Sequence, residues 1–378
     1  MLRQSALVRP FPEKPGPAAL LALLLIALFA PRAAAQKLPV RGLHFSAPKP
    51  DEVDAAVRFI RETLPKEGVN TLVIEFGYRV EFERRPEVRD PDALSKAQVR
   101  ALAAACREAG IRLIPQINLL GHQSWRQTTH ALLRSHPEFD ETPGKYPNNE
   151  GIYCRSYCPL HPQVHEVVFD LVDELAETCD AADFHAGMDE VFLIGEDDCA
   201  RCRGRDKAEL FAGEVRAVRD HLASSGRRLW IWGDRLLDGQ TTGLGRWEAS
   251  LNNTQRAVER IPKDVVICDW HYDAASPTAA YFATLGFDVV SSPWRKAEVA
   301  LAQLDLARWL WRYAPEPVAK RMLGVLQTTW VGFGQFLSAY SGEGEASARA
   351  HQAAACFRAL FAELRTLDRQ IPEKGVRP

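Results

Sequence analysis

The sequence predicts an α/β chain folded as a single (β/α)8 TIM barrel, and three observations carry that prediction. First, one unit recurs: a helical stretch ends at a glycine, and a short β-rich run follows. It reads "KEGVNTLVIEF", "EAGIRLIPQIN", "SSGRRLWIWGD" and "TLGFDVVSSPW". Gly68, Gly110, Gly226 and Gly286 stand where a helix ends in a left-handed residue. Second, the runs are too apolar to alternate, as parallel strands buried on both faces are. Third, eight such runs alternate with helical patterns, which is the count of a closed barrel. An open doubly wound sheet ranks second, because no glycine-rich phosphate loop follows the first strand.

The elements follow in order. Arg3, Arg9 and Lys14 lead into an apolar run at 18–30, then "PRAAAQ", with Ala33 and Ala35 spaced for a signal peptidase. Residues 1–35 therefore read as a secretory signal; the run is shorter than the ~20 residues of a membrane span. The remainder, 36–378, reads as one barrel domain, exported to the periplasm or the extracellular space and free of the membrane after cleavage. Strands are expected at 41–45, 71–76, 112–118, 183–187, 228–232, 265–270, 288–291 and 323–329. Helix 51–65 carries Val53, Val57, Ile60 and Leu64 at helical spacing. Ser95 caps the helix that runs to 109. The loop after strand three, about 119–160, is enlarged. Helices at 161–179, 206–225, 296–313 and 345–367 complete the pattern.

A net charge of −2 and no basic stripe argue against a nucleic-acid partner. No Pro-, Gly- or Ser-rich linker divides the chain. The sequence holds eight cysteines. Cys106, Cys179, Cys268 and Cys356 lie in apolar contexts and read as small core residues. Cys154 and Cys158 in "CRSYC", with Cys199 and Cys202 in "CARC", are close pairs. In an exported chain they read as cross-loop disulfides ahead of a zinc site, although both spacings suit structural zinc ligands.

In such barrels the active site lies at the C-terminal ends of the strands. The polar residues there are Glu75, Gln116, Asn118, Asp189, Glu190, Asp234 and Asp269. His122 follows in "INLLGH", just past a strand end, and is assigned to the site. His185, inside strand four, reads as structural or supporting, as does Asn118. Trp232, Trp270, Trp294 and Trp330 fall at or beside the ends of the last four strands, with Trp125 in the third loop. Aromatic faces pack on the C–H faces of sugar rings. A carboxylate pair, Asp189 and Glu190, beside an aromatic-walled pocket points to glycoside chemistry. Both carboxylates can serve one pocket only if the strand ends there, because adjacent strand residues face opposite sides.

"FHAGMDEV" resembles the strand-four signature of family 20 glycoside hydrolases, the β-N-acetylhexosaminidases. "LIPQINLLGH" is similar to that family's strand three, and "CPLHPQVHEVVFDLVDEL" to its next helix; the flavour is that of the hexosaminidase D-like branch. The resemblance implies a secreted retaining exo-glycosidase with substrate-assisted catalysis on terminal N-acetylated amino sugars, and no cofactor. It implies Glu190 as general acid and base, and Asp189 as the group that stabilises the 2-acetamido group. Trp232, Trp270 and Trp330 would wall the acetamido pocket, Tyr272 or Trp294 would replace its tyrosine, and His122 would stand behind the carboxylate pair and tune it. Asp234 and His122, at or past strand ends, are also assigned to substrate binding. Three departures stand out. The family's strand-one arginine has no counterpart in "RGLHFSAPKP". Val331 in "TTWVGFG" replaces a carboxylate, and Met188 replaces the second glycine of the signature. They bear on how the terminal sugar's O3 and O4 are recognised.

Two other readings remain open from sequence. One is another β-glycosidase with Glu75, Asp234 or Asp269 as second carboxylate. The other is a glycan-binding protein with little or no catalysis. A metal-dependent deacetylase ranks lower, since the site histidines lack metal spacing.

Overall fold

In a computed structural model that describes residues 38–369, eight parallel strands close into a barrel in chain order. They are β1 (Val40–Ser46), β2 (Thr71–Glu75), β3 (Arg112–Leu119), β4 (Asp183–Gly187), β5 (Arg228–Trp232), β6 (Val266–Trp270), β7 (Asp288–Ser292) and β8 (Met322–Thr328). β8 closes on β1, with Val40 beside Gly324 and His44 beside Thr328. Every expected strand coincides with an observed one, to within a residue at either end. The expected leader, 1–35, lies outside the described residues. Leu38–Thr366 form one unit. Among the described residues no helix is long and apolar enough to cross a membrane.

The helices are α1 (Val53–Glu62), α2 (Lys96–Glu108), α3 (Val164–Cys179), α4 (Lys207–Ser224), α5 (Thr278–Thr284), α6 (Ala297–Tyr313), α7 (Phe333–Ser341) and α8 (Ala348–Arg369). Ser95 caps α2 as expected: its hydroxyl accepts the Gln98 N–H at 3.3 Å, and the Gln98 side chain accepts the Ser95 N–H at 3.0 Å. Asp206 caps α4 through the Ala208 N–H at 3.0 Å. Gly68, Gly110, Gly226 and Gly286 all have positive φ, which ends each preceding helix before its strand. No long helix follows β5; the segment carries only short turns, at Asp234–Leu236, Gly239–Thr242 and Gln255–Glu259.

Inward-facing residues fill the barrel. Val73, Ile114, Trp230, Val266, Val290 and Leu326 belong to one buried cluster. β5 adds Trp230 and Trp232, both fully buried; truncating such a side chain typically costs about 3–5 kcal/mol. The β3–β4 ladder slips between the Gln116–His185 and Leu119–Gly187 pairs, so three steps on β3 match two on β4. This bulge, at the third strand's C-terminal end, directs Asn118 toward Glu75, to whose Oε1 its amide donates at 2.8 Å. The enlarged β3–α3 loop is folded, with a two-residue ribbon (Ser124–Trp125 with Thr128–Thr129) and a short helix, Ala131–Ser135.

Candidate active site

β4 ends at an abrupt turn. Gly187, Met188 and Glu190 all adopt left-handed φ (66°, 65° and 49°). Glycine is required at 187 for space as well, since a Cβ there would lie 2.2 Å from Asn118 Oδ1. Met188 and Glu190 hold a conformation that costs a non-glycine residue about 1–3 kcal/mol, and such strain concentrates at functional sites. The turn cancels strand alternation, so the Asp189 and Glu190 side chains line the same cavity. Both are buried, with 7% and 9% exposure.

The turn is held from below. The Glu190 N–H donates to Asp234 Oδ2 at 2.9 Å, Arg235 Nε donates to the same oxygen at 2.7 Å, and Trp270 Nε1 donates to Oδ1 at 3.3 Å. Arg235 is itself fully buried and donates to the carbonyls of Arg246 and Ala249 at 2.7 and 2.6 Å. Burial pushes the Asp234 carboxyl up, and the Arg235 charge opposes that rise. The expectation that Asp234 binds substrate is corrected here: it lies beneath the cavity wall and fixes the backbone of Glu190.

His122 lies against both carboxylates. Its Nε2 is 3.3 Å from Asp189 Oδ2 and 3.1 Å from Glu190 Oε2. Neither contact has hydrogen-bond alignment, and Asp189 Oδ1 has no partner. Burial disfavours the imidazolium, but the Asp189 and Glu190 carboxylates outweigh it and hold His122 well above the ordinary histidine range. The three groups are close enough to hold a metal ion.

The cavity measures about 750 Å³, within the range of small-ligand sites. Trp270, Tyr272, Trp294 and Trp330 form one wall. Tyr272 stacks on Trp270 with centroids 4.9 Å apart, and its hydroxyl accepts from Trp330 Nε1 at 2.5 Å. Trp232 is the second correction. It is fully buried and packs under Trp330 at 5.6 Å and against His185 at 4.4 Å, so it supports the wall without reaching the cavity. His185 accepts the Gly187 N–H on Nδ1 at 3.0 Å, and burial keeps it well below its usual pKa. It orients the strand end from the interior. Asn118 lines the cavity but is bonded to Glu75.

Of the other carboxylates proposed from sequence, only Glu75 lines the cavity, with Ser46 Oγ donating to it at 3.0 Å. Burial raises its pKa, opposed in part by Arg79. Asp269 faces outward, because Trp270 beside it faces the cavity. It accepts from Thr278 Oγ1 at 2.8 Å and contacts His271 Nε2 at 3.1 Å.

Sequence reading missed Tyr153 and Trp247. The Tyr153 ring packs edge-on to His122, Trp125 and Trp247 at 5.9, 5.3 and 4.9 Å. Burial and then the Glu190 charge push its phenol up. Trp125 and Trp247 remain 44% and 42% exposed at the rim. No periodicity marks such loop residues. Arg79 and Arg349 also line the cavity, whose β1 side presents Ser46 and no arginine. Val331 lines it too, beside Trp330.

The cysteine expectation changes as well. All eight are free thiols, and Cys154 stands apart from the other three of its set, donating toward the Glu190 carbonyl at 3.6 Å. Cys158, Cys199 and Cys202 instead gather with Glu141.

A model of the glycosyl hydrolase family 20 catalytic domain matches residues 71–306. The β-hexosaminidase of Vibrio furnissii is 24% identical over 266 residues, covering 62% of this chain and 39% of that protein. The chitobiase of Flavobacterium johnsoniae superposes with a TM-score of 0.58 at 18% identity, over 88% of this chain and 52% of its own. The exo-β-N-acetylglucosaminidase of Vibrio harveyi, solved with N-acetylglucosamine, gives 0.56 at 20% identity, over 90% and 60%. This chain thus spans about 39–60% of the length of these relatives. At these identities the superpositions establish the shared barrel. The family match covers more than half of the chain, from β2 into α6 and through the turn that ends β4, and on that ground the chain belongs to glycosyl hydrolase family 20.

Proposed function

We propose that this chain is a retaining exo-β-N-acetylhexosaminidase that uses the substrate's own 2-acetamido group as nucleophile. The observation that carries the reading is the strained turn that brings two neighbouring carboxylates to one side of a cavity walled by Trp270, Tyr272, Trp294 and Trp330. Protonated Glu190 gives its proton to the glycosidic oxygen as the C1–O bond breaks. The acetamido oxygen bonds to C1 and forms an oxazolinium ring. Asp189 accepts the acetamido N–H and balances the positive charge that develops there. Glu190, now a carboxylate, takes a proton from water as that water opens the ring at C1, so the configuration is retained. Tyr272, with its hydroxyl inside the aromatic wall, is the phenol we assign to the acetamido oxygen. Export, with cleavage after Ala35, belongs to the same proposal and is tested by the N-terminus of the secreted protein.

A competing reading gives the nucleophile to the enzyme. Among the further carboxylates that line the cavity, Glu75 at the end of β2 is the candidate for it, but burial raises its pKa, which favours the neutral form over the nucleophilic one. Hydrolysis of aryl β-GlcNAc, β-GalNAc and β-glucoside separates the two. Turnover confined to the acetamido sugars is expected. Comparable turnover of the plain glucoside would transfer the nucleophile to a protein carboxylate.

A further inference from the structure

We infer that Cys158, Cys199, Cys202 and Glu141 form a structural zinc site that ties the β3–α3 loop to the β4–α4 loop. The inference is independent of the glycosidase reading. All four side chains are buried, and their donor atoms lie within 4.8 Å of one another. Cys158 Sγ is 3.4 Å from Cys202 Sγ and 3.4 Å from Cys199 Sγ. A tetrahedral ion with Zn–S bonds of about 2.3 Å separates its sulfurs by about 3.8 Å. Movements of a few tenths of an ångström would therefore seat the ion.

Glu141 is the second, independent observation. Its Oε1 accepts the Glu196 N–H at 3.1 Å, which orients the carboxylate, while Oε2 is buried without a hydrogen-bond partner. A buried acceptor left unpaired costs about 1–3 kcal/mol. A dication among the four donors removes that cost, and each thiol it binds releases its proton to solvent. A disulfide uses only two of the three sulfurs and strands the third beside the carboxylate. Four protein ligands leave no open position, so the ion would be structural. Its place matters because one loop carries His122 and Tyr153 and the other carries Asp189 and Glu190.

The test uses the full-length protein, reduced, with one equivalent of zinc and then with cobalt in its place. The expected result is one zinc per chain that survives gel filtration. The cobalt form should have strong visible bands of tetrahedral geometry and near-ultraviolet thiolate-to-cobalt charge transfer. Chelation should lower Tm by about 5 °C or more. Cys199→Ser with Cys202→Ser should abolish the charge-transfer signal, and Cys154→Ser should leave it intact. Because the double variant can fail to fold, the wild-type stoichiometry and spectrum stand as the primary readout. Failure to retain zinc, or octahedral, thiolate-free cobalt spectra, would overturn the inference. So would a non-reduced protein two hydrogen atoms lighter, with a disulfide joining Cys158 to Cys199 or Cys202.

Discussion

Two histidines, His271 buried and His122 half-buried, each stand between two carboxylates at the C-terminal rim of the barrel. His122 contacts Asp189 and Glu190; His271 contacts Asp269 and Glu248. Their chemistry is the same and their state of satisfaction is not. His271 Nδ1 meets Glu248 Oε2 at 2.8 Å, Nε2 meets Asp269 Oδ1, Thr278 closes the other Asp269 oxygen, and Gln303 caps the His271 carbonyl at 2.8 Å. Around His122 the contacts, at 3.3 and 3.1 Å, are unaligned, Asp189 Oδ1 is open, and the backbone at His122, Met188 and Glu190 is left-handed. A closed network of this kind stabilises, whereas one with open acceptors and stored strain is held ready for a ligand.

The comparison would break most visibly under paired substitutions. Glu190→Gln is expected to lower kcat on an aryl β-GlcNAc by about 10²–10⁴-fold with little change in Tm. Asp269→Asn should do the reverse, removing about 3 kcal/mol of stability while the folded enzyme keeps kcat within a few-fold. If kcat collapsed in well-folded Asp269→Asn, the two clusters would share a catalytic role.

A smaller effect is expected at His122, which acts through the pair it touches. His122→Gln should lower kcat by about 10²-fold, leave KM within a few-fold, and displace the alkaline limb of the pH–rate profile. A fall in Tm with an unchanged pH profile in the folded variant would reduce His122 to a packing residue.

The mildest effect concerns pH. The Asp269 and Glu248 charges overcome the burial of His271 and raise its pKa to about 10. A histidine raised in the folded state binds its proton more tightly there than in the unfolded chain. Its contribution is therefore complete below about pH 6.5 and declines as pH rises through about 10. The Tm advantage of wild type over His271→Gln should shrink across that window. An advantage constant from pH 6 to 10.5 would mean that His271 stabilises by shape alone.

Particular residues explain what could be read from sequence. Asp189 and Glu190 are legible because an apolar run between helical stretches locates the end of β4 and adjacency marks the pair. Alternation also settles Asp269: Trp270 faces inward, so its strand neighbour faces outward, away from the site. Trp232 and Asp234 read as rim residues because strand ends are visible in sequence, whereas depth within the barrel depends on stagger between strands. Tyr153, Trp247 and Glu141 lie in irregular loops, where no period links a residue to its neighbours in space. The clustering of Cys158 without Cys154 turns on loop geometry in the same way.

The sequence by itself determined the barrel, its eight strands, the helix ends and the position of the carboxylate pair. Each depends on local rules: burial on both faces, left-handed glycines, caps and the rim location of barrel sites. Tertiary structure alone decided which carboxylates face the cavity, which tryptophans line it, that His122 sits between two acids, and that three thiols meet one glutamate. Those outcomes depend on strand stagger, on a left-handed turn that overrides alternation, and on loops that pack across from one another. Such contacts join residues far apart in the chain, and no local pattern encodes the distance between them.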